Sequence, residues 1–244
     1  MKPFLLLATR AEDRAADDEY GAFCAFAGLA PRQLVRHRLE RDPLGDVDLD
    51  AWSGIIVGGS PYNASDAFDR KSGQQQRAEA EMARLLDRVV AADFPFLGAC
   101  YGVGTLGVHQ GAVVDATYAE PVGPALITVT DAGRSDPLLA GLPDSFWALV
   151  GHKEAISVLP GHAVLLATGE SCPVQMFRVG RNVYATQFHP ELDADGLATR
   201  IDVYVNHGYF RPHEAEALKE AGRSADISHA PQVLRTFVET YGRD

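Results

Sequence analysis

The sequence predicts an α/β fold built on a doubly wound, mostly parallel sheet. Short, continuously apolar runs typical of strands buried on both faces alternate with amphipathic segments of helical period, as in βαβ units. Glycines follow two of these runs, at 58–59 and around 98–102, and sites in such sheets form at the carboxyl ends of strands. With 244 residues, 46% of them hydrophobic, the chain is long enough for one packed domain.

The first half of the chain accounts for the parallel strands and two helices. The first helix ends at Gly28, a residue that suits a left-handed C-terminal stop. The second helix is strongly amphipathic, with its apolar stripe directed inward. Strands are predicted at residues 4–8, 34–39, 54–57 and 94–99, and helices at residues 13–27 and 74–91.

The second half turns to β structure and then ends in helices. Apolar runs separated by Gly, Pro and Asp turns predict a small antiparallel addition to the sheet. No repeat or low-complexity linker interrupts the chain, so we expect a single domain over residues 1–244, with a helical C-terminal extension at about 208–244. Strands are predicted at 126–129, 163–167, 174–177 and 183–186, and helices at 195–205, 212–221 and 231–241.

Composition excludes several classes of function. A net charge of −11 without clusters of Lys or Arg argues against nucleic acid and against anionic membrane surfaces as partners. The apolar run near the start is too short to span a membrane. The three cysteines, Cys24, Cys100 and Cys172, have no regular spacing, so no disulfide framework is expected and a reducing cytoplasm fits best. The histidines show no metal-ligand spacing, so we expect no metal and no cofactor.

The run FLGACYG at 96–102 is the strongest candidate for a reactive residue. Gly98 and Gly102 flank Cys100 at the end of a predicted strand, which is the cysteine version of the strand-to-helix nucleophile elbow. A sharp turn there lifts the side chain clear of the sheet, and the N-terminus of the following helix favours a thiolate. Most free cysteines are small buried apolar residues, and that interpretation fits Cys24 on its helix face.

The run QFHPE at 187–191 supplies a candidate base. His189 follows a predicted strand, and in an extended segment Glu191 projects on the same side two residues later. The carboxylate can then accept a hydrogen bond from the imidazole and hold one tautomer, while the ring moves a proton. Taken alone, His189 would be a turn histidine and Glu191 a solvated loop carboxylate.

These two motifs, in this order, resemble those of the class I (triad) glutamine amidotransferases. Stand-alone relatives of the amidotransferase half of GMP synthetase are the most similar group, and the resemblance implies a flavodoxin-like sheet. It also implies that Cys100 is the nucleophile, that His189 is general base and then general acid, and that Glu191 orients the ring. The backbone N–H groups of Gly59 and Tyr101 would form the oxyanion hole.

The same resemblance implies the substrate contacts. Gly58 belongs to the donor loop after the third strand, and Lys153 and Glu154 lie in the segment GHKEAI (151–156), which would hold the α-amino and α-carboxyl end of glutamine. An ordinary strand-ending turn and a polar loop are the structural alternatives. The chain departs from the family at Gly104, where members often carry a glutamine that helps hold the substrate. We expect this glycine to leave space beside the nucleophile.

The implied function is hydrolysis of the glutamine side-chain amide through a cysteine thioester, which yields glutamate and ammonia. The sequence contains no second catalytic domain, so ammonia would pass to a separate synthase subunit. One alternative keeps the chemistry and changes the small-molecule substrate, as in a stand-alone γ-glutamyl peptidase or γ-glutamyl-amine hydrolase. Another is a non-catalytic regulatory or binding module with a vestigial triad. A cysteine-elbow protein of the deglycase or chaperone type lacks the His-Pro-Glu segment at this spacing.

Overall fold

A computed structural model describes residues 1–244. It contains eleven strands and seven α-helices in an alternating order through the first half of the chain. The strands are β1 (Phe4–Ala8), β2 (Leu34–Arg38), β3 (Gly54–Val57), β4 (Phe96–Ala99), β5 (Val113–Asp115), β6 (Glu120–Val129), β7 (Ser145–His152), β8 (Ala155–Val158), β9 (Val164–Gly169), β10 (Met176–Val179) and β11 (Val183–Thr186). The helices are α1 (Asp13–Ala27), α2 (Gly73–Ala91), α3 (Tyr101–His109), α4 (Asp131–Arg134), α5 (Ala194–Tyr204), α6 (Ala215–Ser224) and α7 (Pro231–Tyr241).

Nine of the strands form one sheet in the order β2-β1-β3-β4-β11-β10-β9-β6-β7. The five strands from β2 to β11 run parallel, and β10, β9, β6 and β7 continue the same sheet in antiparallel pairing. Strands β5 and β8 form a separate two-stranded ribbon. The predicted α/β fold with a mostly parallel sheet and an antiparallel addition is confirmed, although most of that addition extends the main sheet. Strands β5, β7 and β8 have no counterpart among the predicted strands.

The parallel strands are buried on both faces, as their continuous apolar runs predict. Alternate residues of β1 divide between two core clusters, with Phe4 and Leu6 on one face and Leu5 and Leu7 on the other. The first cluster includes residues of α1 and α7, and the second includes residues of α2 and α3. The ring of Phe237 in α7 lies 6.0 Å from that of Phe4, so the last helix is part of the layer that covers the sheet.

A local signal accounts for where the first helix stops. Gly28 has φ 67° and ψ 29°, and its N–H donates to the last carbonyls of α1, which is the left-handed stop that the sequence predicts. None of the helices combines the length and the apolar composition needed to cross a bilayer.

The parallel strands β1, β3, β4 and β11 all end at one edge of the sheet, and the candidate site is built on the residues that follow them.

Candidate active site

The turn between β4 and α3 holds Cys100 in a strained backbone conformation. Cys100 has φ 51° and ψ −89°, a region that residues with a side chain rarely adopt. Its N–H donates to the carbonyl of Thr186 at 2.7 Å, which ties the turn to the end of β11. A Cβ on Gly98 would lie 2.8 Å from the Cα of Gly102, so the turn closes only because Gly98 has no side chain. This is the elbow geometry that the glycine spacing predicts.

Burial of the sulfur opposes the ionisation of Cys100. The residue is partly exposed, yet burial of the sulfur raises the pKa of Cys100 to about 12. The positive charge of Arg10 lowers this pKa, but it offsets only part of the effect of burial. Burial thus opposes the thiolate that the N-terminus of α3 is expected to favour. A thiol with a raised pKa acts as a nucleophile only with a neighbouring base that takes its proton.

His189, the predicted base, is buried and hydrogen-bonded through both its ring and its backbone. Its Nδ1 lies 2.7 Å from Oε1 of Glu191, and its backbone N–H donates to the carbonyl of Leu149 in β7 at 2.9 Å. Nη1 of Arg200 lies 3.0 Å from the same nitrogen, but the contact with the carboxylate is shorter and a carboxylate only accepts. Nδ1 is therefore assigned the proton, and Nε2 is left as the basic nitrogen. Burial lowers the pKa of His189, and the adjacent Arg200 lowers it further against the opposing effect of Glu191. The ring is therefore neutral, and able to accept a proton, at neutral pH.

Glu191 is ionised although it is completely buried. Burial alone would raise its pKa, but His189 and the guanidinium of Arg200 outweigh that effect and hold the pKa of Glu191 well below its usual range. Nη2 of Arg200 donates to Oε1 of Glu191 at 2.8 Å, the same oxygen that faces the imidazole. The solvated loop carboxylate that Glu191 would be in isolation is not what the structure shows.

Sequence reasoning missed a second layer of charge behind these residues. Nε of Arg10 donates to Oε1 of Glu19 at 2.8 Å, and Nη2 of Arg200 lies 3.3 Å from the same oxygen. Arg10, Glu19 and Arg200 are all buried, so their charges are compensated by one another and by Glu191. Arg200 was detectable in the sequence, because it lies three residues after Leu197 and so on the apolar face of the predicted helix.

The glycine pair after β3 is pressed against this charged layer. A Cβ on Gly59 would lie 2.6 Å from Nη2 of Arg10 and 2.8 Å from Cε1 of His189, and one on Gly58 would lie 2.8 Å from Oε2 of Glu19. The N–H of Gly59 has no acceptor in the protein. The N–H of Tyr101, at the first position of α3, has no partner within the helix. Their role as a pair of oxyanion donors stays a prediction.

Lys153 and Glu154, the predicted substrate contacts, each hold a loop over the site. Both carboxylate oxygens of Glu154 accept backbone N–H bonds at 2.7 Å, from Ala64 and from Ser65. Nζ of Lys153 donates to the carbonyl of His207 at 3.0 Å and lies 4.1 Å from the ring centre of Tyr209. Direct contact of either side chain with substrate stays a prediction.

The expectation that Gly104 leaves space beside the nucleophile is wrong. A Cβ at this position would lie 2.7 Å from Oε1 of Glu154 and 3.2 Å from the Cβ of Ala64. The volume that a longer side chain would take is therefore filled by Glu154 and by the loop that Glu154 holds. A glutamine at position 104 would have to displace both.

Two cavities meet at Cys100. Both are lined by Ser60, Cys100, Gly151 and Tyr209. One includes His189 and Arg200 and is otherwise mainly apolar, whereas the other includes Tyr101 and Glu154 and is mainly polar. Cys100, the predicted nucleophile, thus lines both cavities, whereas the predicted base His189 lines only the first and the predicted oxyanion donor Tyr101 only the second.

One buried cluster beside the site has donor atoms close enough together for a metal ion. Ligand atoms of Glu120, His152 and Cys172 lie within 4.8 Å of one another. Oε2 of Glu120 already faces Nε2 of His152 at 3.0 Å and accepts from Gln175 at 2.6 Å. Nδ1 of His152 lies 2.8 Å from the carbonyl of Glu154, so this cluster positions the segment that ends β7. The expectation that the chain needs no metal stays a prediction.

Comparison with known proteins identifies the family. The family model described as glutamine amidotransferase class-I matches residues 34–201, a range that contains Cys100, His189 and Glu191. The chain belongs to the class I glutamine amidotransferase family. This membership confirms the enzyme class expected from the sequence, a cysteine-dependent glutamine amidohydrolase.

Individual relatives agree with this assignment. Over 147 residues the chain is 30% identical to one subunit of the glutamine-hydrolysing GMP synthase of Thermoplasma volcanium, and the match spans 59% of this chain and 65% of that protein, just under two thirds of its length. The chain is also similar in fold to solved glutamine amidotransferases. The one from Thermotoga maritima has a TM-score of 0.78 at 18% identity with full coverage of both chains. The one from Methylobacillus flagellatus has a TM-score of 0.74 at 21% identity, with 100% and 97% of the chains covered.

Replacing Gly59 by Ala tests the contact between the glycine loop and the base. The added methyl group has to push aside the guanidinium of Arg10 or the ring of His189, because both lie within 3 Å of its position. We expect kcat/KM for glutamine to fall by about 10²-fold, the effect of displacing a catalytic group by about 1 Å. Gly73→Ala is the matched control, since Gly73 is the first residue of α2 and has nothing within 4 Å of its Cβ position. Equal activity of the two variants would show that this contact does not position His189 for catalysis.

Proposed function

We propose that this chain hydrolyses the side-chain amide of glutamine through a thioester on Cys100 and releases glutamate and ammonia. The observation that carries the proposal is the hydrogen bond of 2.7 Å between Nδ1 of His189 and Glu191, at a ring that lines the same cavity as Cys100. An acyl-transfer site needs a nucleophile, a base and a group that orients the base, and these three residues supply them. An intact set of this kind argues against the non-catalytic regulatory module.

The chemical steps follow from the protonation states of the site. His189 takes the thiol proton as the sulfur of Cys100 attacks the amide carbon, and the N–H groups of Gly59 and Tyr101 stabilise the oxygen that becomes negative. The C–N bond then breaks, and the imidazolium gives its proton to the departing nitrogen, which leaves as ammonia. Water attacks the thioester, His189 accepts one of its protons, and the sulfur departs and regains a proton. Glu191 favours the imidazolium in both stages.

We further propose that the ammonia passes to a separate acceptor enzyme. The Thermoplasma volcanium relative is named as one subunit of a glutamine-hydrolysing GMP synthase, and this name supports a partner subunit for the present chain. We treat residues 1–244 as one amidotransferase unit, in which the helices after residue 208 cover part of the sheet and part of the site.

Trapping the thioester tests the proposal directly. The chain is mixed with glutamine, quenched in acid during turnover, digested and examined by mass spectrometry for a γ-glutamyl adduct. We expect the adduct on the peptide that contains Cys100, because this thiol lines both cavities at the elbow. Cys24→Ala is the matched control and should leave the adduct in place, since Cys24 packs against the core on α1. Turnover with an adduct on Cys24 or Cys172, and none on Cys100, would overturn the assignment.

The pH dependence of kcat/KM should follow the lowered pKa of His189. The base is active when neutral, and a lowered pKa keeps it neutral as the pH falls below the usual histidine value of 6.5. We therefore expect the acid limb of the profile below pH 6.5, with activity lost as the pH falls through the pKa of His189. Initial rates of glutamate release across buffers of constant ionic strength measure this limb. An acid limb above the usual histidine value would show that burial and Arg200 do not control the ring.

A further inference from the structure

The cavity shared by Cys100 and His189 has more apolar wall than ammonia requires. Six apolar side chains line it: Val122 and Val150 from β6 and β7, Leu192 from the segment before α5, Leu197 and Ile201 from α5, and Phe210 from the segment after α5. We call this cavity the leaving-group chamber. The other cavity at Cys100, which we call the acyl cavity, contains Tyr101, Asn63, Glu154 and Lys153.

The direction of proton transfer decides which part of the substrate enters the chamber. The departing nitrogen receives its proton from His189, so this nitrogen has to lie on the His189 side of Cys100. His189 lines the chamber and does not line the acyl cavity. The carbonyl oxygen has to face the N–H of Tyr101, which is a residue of the acyl cavity. The γ-glutamyl part therefore lies in the acyl cavity, and a substituent on the departing nitrogen extends into the chamber.

We propose that the chamber binds a neutral apolar substituent on the departing amine, so that the chain also hydrolyses γ-glutamyl amides of apolar primary amines. This inference rests on the proposed function, because it uses the same nucleophile, base and thioester. The atoms balance as they do for glutamine. The C–N bond breaks, the amine takes the imidazolium proton, and water supplies the hydroxyl of the glutamate that is released.

Charge favours a neutral substituent over a charged one. The chamber contains two guanidinium groups, and each already forms an ion pair with a buried carboxylate. Arg10 pairs with Glu19 at 2.8 Å, and Arg200 pairs with Glu191 at 2.8 Å. No unpaired carboxylate in the chamber is available to hold an ammonium group, and no unpaired cation is available to hold a carboxylate. A charged end group would lose its hydration against Val122, Val150 and Phe210 without a compensating partner.

Four amides that share the γ-glutamyl group test the inference with the purified full chain. They are glutamine, the n-butylamide, the 4-aminobutylamide and the 3-carboxypropylamide, and the last two add an ammonium or a carboxylate to the end of a chain of similar length. Glutamate release gives kcat/KM for each. We expect the butylamide to exceed glutamine by about tenfold or more, because each buried methylene contributes roughly fourfold. We expect both charged amides to fall at least about tenfold below the butylamide.

A chamber variant separates binding in this cavity from a general tolerance of large amides. Val122→Phe fills the chamber and should lower the ratio of kcat/KM for the butylamide over that for glutamine by about tenfold. Leu126→Phe is the matched control, since Leu126 is an exposed residue of the same strand outside the chamber, and it should leave this ratio unchanged.

The possible results separate the two proposals. If glutamine is hydrolysed and the butylamide is not, or if a charged amide is preferred, the inference is wrong and the proposed function stands. An unchanged ratio of the two kcat/KM values in Val122→Phe would likewise show that the butyl group does not bind in the chamber. If no amide is hydrolysed and no adduct forms on Cys100, both the proposed function and this inference are wrong.

Discussion

Replacing Cys100 by Ala should abolish turnover of glutamine. Without the sulfur no thioester forms, and the remaining donors and binding groups leave only a small residual rate. We expect kcat to fall by at least about 10⁴-fold, the scale of losing the nucleophile of an acyl-transfer triad. The variant should fold normally, because Ala is a smaller residue at the same strained turn. Continuous measurement of ammonia release, with a far-ultraviolet spectrum as the folding check, gives the result.

The same measurement on Cys172→Ala supplies the control. Cys172 is fully buried, and burial raises the pKa of its thiol to about 12, as it does for Cys100. Its substitution removes a core side chain without removing the nucleophile, so it should affect stability more than kcat. A Cys100→Ala variant with more than about a hundredth of wild-type kcat would be incompatible with covalent catalysis at this residue.

Replacing Glu191 by Gln should have the second largest effect. The amide oxygen can still accept from His189, but the negative charge between the ring and Arg200 is lost. Arg10 and Arg200 then face an imidazolium without a compensating carboxylate next to it, so forming that cation becomes costly. We expect kcat for glutamine to fall by about 10²- to 10⁴-fold.

The pH profile shows whether Glu191 acts on the ring or only on the fold. Glu191 raises the pKa of His189 and Arg200 lowers it, so the two variants should shift the acid limb in opposite directions. Glu191→Gln should move the limb to lower pH, and Arg200→Gln should move it to higher pH. Both variants disturb the same buried ion pair of 2.8 Å, so a purely structural effect would leave the limb where it is in both.

Two residues after β7 hold the loops that lie over Cys100. Glu154 holds residues 64–65 and Lys153 holds residues 207–209, and both follow the last residue of β7. The two loops over the site are thus fastened to adjacent positions at the end of one strand. The absence of a side chain at Gly104 makes room for one of these attachments. Gly104 is therefore linked to loop closure in this chain.

Much of the fold is determined locally, and the sequence predicts it. Helix α1 ends at Gly28 and α7 spans Pro231–Tyr241, as the sequence predicts, because a left-handed glycine and a proline at the first helical turn are local signals. The continuous apolar runs of β1, β3 and β4 identify strands covered on both faces. Strand β7 was missed, since its alternation is interrupted by a run of buried residues next to a glycine.

The sequence by itself determined the enzyme class and the candidate residues. The glycine spacing around Cys100 and the two-residue spacing of His189 and Glu191 are local patterns, and each specifies a backbone geometry that the structure contains. Only the tertiary structure decided the electrostatics. Arg10 and Glu19 are close in sequence, but only folding brings Arg200 against them, and burial makes the charges of the two arginines act on the ring and on the sulfur. Neither the raised pKa of Cys100 nor the filled space at Gly104 can be predicted from residue spacing, because both depend on which side chains long-range packing brings into contact.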